Sequence, residues 1–180
     1  KASQMMGLVR RTFKNLSPEI FKPLYKALVR SRLEYGQSVW SPFSVEGIKK
    51  IEGVQRSATK RINGLKTMSY RDRLLILNMP SLLYRRRRGD MIEVFKLTHD
   101  FYDPSAQINL PASQDNRRGH QYKLFKQRTL LLDLRKHSFA NRIVESWNSL
   151  PEEVVTAPSL NSFKNRLDKC WKDRMYDYIE

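Results

Sequence analysis

Apolar residues recur at helical spacing through most of the chain. Met5, Met6, Leu8, Val9 and Phe13 follow that period and predict a helix over 3–15. Ser17, Pro18 and Glu19 then supply a capping side chain, a proline at the first helical position and a first-turn acid. A second helix therefore runs from there to about Leu33, with Ile20, Phe21, Leu24, Leu28 and Val29 on its apolar side. Pro23 falls inside it and predicts a kink or a restart. Gly36 ends it, and Ser41-Pro42 makes a turn after Trp40.

The cleanest pattern spans Ser44 to Ile62. At about 100° per residue, Ile48, Ile51, Val54, Ala58 and Ile62 cluster on one side, while Lys49, Arg56 and Lys60 fall opposite. Asn63-Gly64 stops this helix. Ser69 with Asp72 resembles a capping box that opens a short helix to about Leu77. Pro80 breaks that helix, and Ser81 caps a longer one reaching about Phe101. Residues 103–119, rich in Pro, Ser, Asn, Gln and Gly, read as a linker loop. Residues 120–134 are the only strand-like stretch and predict a short hairpin. Ser138 to Ser149 is helical, with Phe139, Ile143, Val144 and Trp147 on one face; Leu150-Pro151 interrupts. A last helix over Ser159 to Asp173 buries Phe163, Leu167 and Trp171. The fold class is mainly α, with about seven helices. It divides into a basic helical region over 1–102, the linker 103–119 and a small helical C-terminal segment over 120–180.

A length of 180 residues fits one ordinary domain or two small ones, and 11% aromatic residues suffice to fill a core. The single cysteine, Cys170, rules out an internal disulfide framework and a Cys-rich zinc module. No apolar run approaches the ~18–20 residues of a membrane span. No signal peptide is visible, so the expectation is an intracellular protein, nuclear or cytoplasmic. The chain opens on Lys1 rather than Met, which predicts a piece of something longer.

Charge changes this picture most. The net charge is +16, and residues 1–100 hold 21 Lys and Arg against 8 Asp and Glu, a net of +13. A half so basic points to a polyanion, and nucleic acid is the commonest such partner. Lys22, Lys26 and Arg30, at i, i+4 and i+8, stack three cations on one stripe. Lys49, Arg56 and Lys60 form a second. Two such stripes suit the two phosphate strands of a duplex, whereas either one alone also describes a solvated polar face. Of the run Arg85-Arg86-Arg87-Arg88, wheel arithmetic turns Arg87 into the apolar face between Leu83, Met91 and Val94. A buried guanidinium must pair, and Asp90 at i+3 is the expected partner. Arg85, Arg86 and Arg88 remain as candidate phosphate contacts. Tyr70-Arg71, Tyr84-Arg85 and the His120 to Lys126 stretch interleave aromatic and cationic residues, as base stacking requires and as ordinary packing also produces.

Catalytic chemistry is not legible. None of the seven glycines sits in a phosphate-binding loop, and no adjacent Asp pair offers a divalent-metal site. Glu152-Glu153 after Pro151 reads as first-turn helix acids. His99, His120 and His137 lack metal-ligand spacing, and Cys170 beside Trp171 reads as a buried thiol. No catalytic residue, metal site or cofactor is assigned.

Several segments carry a family resemblance. Leu24-Tyr25-Lys26-Ala27-Leu28-Val29, Leu33-Glu34-Tyr35-Gly36 and Val39-Trp40-Ser41-Pro42 resemble the region just after the palm in reverse transcriptases of LINE-type, jockey-like non-LTR retrotransposons. Val54-Gln55-Arg56 with Ala58-Thr59-Lys60, and Tyr84-Arg85-Arg86 with Arg88-Gly89-Asp90-Met91, continue the likeness. Arg118-Gly119-His120, Trp147-Asn148-Ser149-Leu150-Pro151 and Phe163-Lys164 carry it to the C-terminal end. Each motif is weak alone; the ordered set covers nearly the whole chain. Ser31-Arg32 departs from the pattern where a proline is expected, and the Cys–His knuckle of some relatives is absent. The resemblance implies a thumb-like helical bundle followed by the family's C-terminal segment, with Trp40 and Trp147 as structural residues. It implies a parent RNA-directed DNA polymerase whose catalytic aspartates, and the Mg2+ they hold, belong to a palm and fingers region upstream of Lys1. The chain is then a non-catalytic grip on RNA, DNA or an RNA–DNA hybrid, with no membrane partner. Without the resemblance, the same residues also fit a stand-alone basic helical RNA-binding or protein-interaction module.

Overall fold

The computed structural model describes residues 1–13, 15–103, 105, 110–113, 119–127 and 136–179. These residues are mainly α-helical, with no β-strand among them. The helices are α1 (Ala2–Thr12), α2 (Pro18–Leu24), a π-helical segment (Tyr25–Arg30), α3 (Ser31–Glu34), α4 (Val45–Thr59), α5 (Tyr70–Leu77) and α6 (Leu82–Thr98). After these come α7 (Phe139–Arg142), α8 (Val144–Asn148), α9 (Glu152–Val155), α10 (Leu160–Cys170) and a 3-10 turn (Lys172–Arg174).

The chain forms two compact units. The first comprises Lys1–Gln37, Ser41–Arg86 and Asp173–Glu180; the second comprises Ser38–Trp40 and Arg87–Lys172. The composition of 103–119 suggests a boundary there, but the division falls within α6, between Arg86 and Arg87. A continuous helix carries no compositional mark of such a change.

In the first unit, α1 buries Met6 and Val9 and packs on the π-helical segment and α4. Pro18 stands at the first position of α2, as its fixed φ favours. Pro23 is followed by a restart: α2 ends at Leu24 and a π-helical segment opens at Tyr25. Pro23 has no N–H for the carbonyl of Glu19, and the helix widens into the π-helical segment just beyond it. The wider turn keeps Phe21, Tyr25, Val29 and Leu33 buried, with Phe21 and Tyr25 stacked at 5.3 Å. Gly36, with φ of 64°, turns the chain away in the left-handed region where glycine is favoured. Ser44 caps α4 by accepting from the Gly47 amide at 3.1 Å. Ser69 caps α5 by accepting from the Asp72 amide, and its hydroxyl donates to the Asp72 carboxylate at 2.6 Å. Ala58, Ile62, Leu65, Leu74, Leu77, Met79 and Leu82 complete this core.

Trp147 is fully buried at the centre of the second unit. Phe163 stacks on Phe95 at 4.3 Å and lies 6.1 Å from the Trp147 ring. The Trp147 indole donates to the Tyr122 carbonyl at 2.7 Å. Of the hairpin expected over 120–134, residues 128–135 lie outside the described ones; among the described residues Leu124 forms an antiparallel bridge with Ala112 upstream. Asn148 explains why the segment looks strand-like. Its side-chain oxygen accepts from the Leu124 amide and its nitrogen donates to the Leu124 carbonyl, both at 2.9 Å. A helix side chain thus takes the place of a neighbouring strand.

Candidate functional site

The sequence places the candidate site on the polar side of α4. The structure buries part of that side: Glu52, Gln55 and Thr59 lie in the interior with Ala58. The mean direction of the buried residues is rotated by roughly 50° from that of the apolar ones, at 100° per residue. Polar residues thus form the centre of this contact. The Glu52 carboxylate accepts from the Tyr70 hydroxyl at 2.5 Å and from the Leu82 and Leu83 amides at 3.1 Å each. Those amides open α6, so a carboxylate from another helix sits at its positive end. Ser81 completes that end by accepting from the Tyr84 amide at 3.1 Å. Gln55 accepts from Tyr25 at 2.9 Å and donates to Tyr70 and to the Pro80 carbonyl. Burial, then the Glu52 charge, holds the hydroxyls of Tyr25 and Tyr70 well above the ordinary phenol pKa, so both remain neutral donors. Arg73, 1% exposed, donates to the Thr59 hydroxyl and to the carbonyls of Met68 and Arg56, the last of which is one of the C-terminal carbonyls of α4.

This network changes the candidate residues unequally. Lys49 and Lys60 are exposed, as the stripe requires. Arg56 is half-buried: its guanidinium lies 5.2 Å from the rings of both Tyr70 and Tyr178. Tyr70 and Tyr84 are core residues, 6% and 4% exposed, so neither offers a ring face to a base. Of the first stripe, Lys26 is exposed and Lys22 half-buried, whereas Arg30 turns to Glu34 at 3.8 Å. Burial, and then the neighbouring Arg85, pull the Arg30 pKa below its ordinary value.

The four-arginine run is assigned differently from the wheel reading. Arg86 is the inward residue, 4% exposed, and Arg87 is exposed. A wheel assumes one buried face along the whole helix. This helix serves the first unit through Arg86 and the second from Arg87, so its buried face is not constant. Asp90 is buried but pairs with Arg142, through two 3.0 Å hydrogen bonds, rather than with Arg87. Arg85 forms a two-pronged pair with Glu34, at 2.9 Å through Nη2. Arg88 does the same with Asp168, at 2.8 Å through Nη2. Both therefore hold carboxylates. Trp147 is structural, while Trp40 is 41% exposed.

Four acids of the first unit are engaged within it. Glu52 is internal, Glu34 holds Arg85, Asp72 caps α5, and Glu46 pairs with Lys50 at 2.7 Å. The unit carries 19 Lys and Arg against 8 Asp and Glu, a net of +11, and the second unit 15 against 10, a net of +5. The sequence stripes omit Arg10 and Arg61, which are exposed and line one groove with α1 and α4 residues. Their spacing on separate helices hides this meeting; only packing reveals it. Among the described residues no three His, Cys, Asp or Glu side chains are grouped as a metal ion requires, and no helix is long and apolar enough to cross a membrane. Comparison with protein-family models, curated proteins and solved structures gave no match.

Proposed function

We propose that the chain is the nucleic-acid-gripping, non-catalytic part of an RNA-directed DNA polymerase of the non-LTR retrotransposon type, and that its first unit holds template–primer duplex by the backbone. The observation that supports this most is the segregation of sign in that unit. Glu52 is buried, Glu34 and Glu46 are paired and Asp72 caps a helix, while Lys26, Lys49 and Lys60 stand exposed. Cations so displayed neutralise phosphates without reading bases. The two tyrosines that would stack on bases are buried, which favours backbone over base contact. The parent polymerase's Mg2+ would be held by acids outside this chain, and the chain contributes position rather than chemistry.

Fluorescence anisotropy with a labelled RNA–DNA hybrid tests the grip. The logarithm of the association constant should fall linearly with the logarithm of salt, by about 0.9 per phosphate neutralised. A flat response between low and physiological salt overturns it. Changing Lys49 and Lys60 together to Glu should weaken binding about tenfold with the helical circular dichroism intact. The polymerase part of the reading is tested by the coding sequence ahead of Lys1, where a palm with paired aspartates is expected.

A further inference from the structure

Helices α1 and α4 meet in the first unit, and a groove of about 170 Å³ lies between them. Ser3, Gly7 and Arg10 line it from α1, at the i, i+4 and i+7 positions of one face. Ser57 and Arg61 line it from α4 and the turn just after, with Met6 and Val54 as the apolar part of the wall. The volume equals about five or six waters of liquid, which is too small for a base with its sugar but enough for a tetrahedral anion.

We propose that this groove seats one backbone phosphodiester of the bound nucleic acid, clamped between the guanidinium groups of Arg10 and Arg61. The proposal rests on the nucleic-acid reading above and names the place where that backbone enters. Three observations carry it. The lining has two arginines and two hydroxyls and no acid. Neither arginine side chain has a hydrogen-bond or ion-pair partner among the described residues, unlike Arg85, Arg88 and Arg142, each of which grips a carboxylate. Like charges gathered on one groove repel until an anion enters, and a guanidinium fork matches phosphate oxygens. The space beside Gly7 is open, since a Cβ built there would meet nothing within 4 Å. The ordinary alternative places each arginine as a partner for its own helix's C-terminal carbonyls. Arg10 and Arg11 both stand in the last turn of α1, and that role requires no groove shared with Arg61.

The test compares R10Q/R61Q with wild type and with K49E/K60E in salt titrations on the RNA–DNA hybrid. R10Q/R61Q should lower the salt slope by about one and weaken binding several-fold for every sequence alike. R10K/R61K, which keeps the charge but loses the fork, should restore the slope and only part of the affinity. If R10Q/R61Q binds like wild type while K49E/K60E is weakened, the seat is overturned and the nucleic-acid reading stands. If wild type itself shows no salt-dependent binding, both fall. Circular dichroism on each variant verifies the fold, because both arginines are exposed.

Discussion

Glu52 is 1% exposed and accepts from one tyrosine hydroxyl and two helix-opening amides. Replacing it by alanine strands all three donors in the interior, so Glu52→Ala should destabilise the protein by about 3 kcal/mol. Chemical denaturation measures this; a loss within 0.5 kcal/mol, as ordinary surface changes give, would refute the capping role. His99 contributes a pH dependence. It stacks between Phe95 at 3.9 Å and Tyr122 at 4.4 Å, and burial lowers its pKa from the ordinary 6.5. A base with a lowered folded-state pKa is neutral in both states above 6.5, where its contribution is fully present. As pH falls below 6.5 the unfolded chain takes up the proton first, so stability declines until the folded-state pKa is passed. Urea midpoints at pH 7.5 and 5 should differ in wild type, and His99→Gln should narrow the difference. At this scale the sequence is legible where a residue acts on its own neighbours, as Ser69 and Ser81 do. It is silent on Glu52, because the amides that justify a buried acid lie thirty residues away in the chain.

Among the helices, α4 shows what a periodicity argument can and cannot deliver. Its existence and the exposure of Lys49 and Lys60 follow from spacing. Its rotation does not, because the argument counts only apolar residues and the buried face includes Glu52, Gln55 and Thr59. That rotation moves Arg56 from the open face to its edge, against two tyrosines. The Leu124 segment fails for a related reason: Asn148, far along the chain, supplies its hydrogen bonds and imitates a strand. Gly53 gives a test of the helix itself. It lies within α4, where a Cβ would meet nothing within 4 Å, and glycine is costly in a helix interior. Gly53→Ala should therefore stabilise the protein by about 0.5–1 kcal/mol in denaturant titration. A destabilised variant would mean that the rotation of α4 described above is wrong.

For the whole molecule, composition reveals the basic excess and the mainly helical class, while the division into units is hidden inside α6. The first unit is discontinuous, because Asp173–Glu180 returns to it. Ser81 donates from its amide to the Met175 carbonyl at 3.0 Å and from its hydroxyl to the Asp177 carbonyl at 2.5 Å. Tyr178 meets Tyr70 at 5.0 Å and shares Arg56 with it. Shortening the chain to end at Lys172 removes these contacts, and its melting temperature should fall by several degrees, as expected for a loss of about 2 kcal/mol. An unchanged melting temperature would show that the returning segment adds nothing.

The return also sets an order of events during synthesis. Ser81 and Asp177 are 96 residues apart. Translation runs at about 5–20 residues per second, so roughly 5–20 seconds separate the emergence of the two. Through that interval α1–α5 are already outside the ribosome with Tyr70 and Arg56 lacking the Tyr178 ring, while the second unit's sequence is still being made. The unit whose first residues emerge ahead of the second unit's is therefore completed after it, and a ribosome stalled before residue 173 holds a first unit that lacks its closing segment.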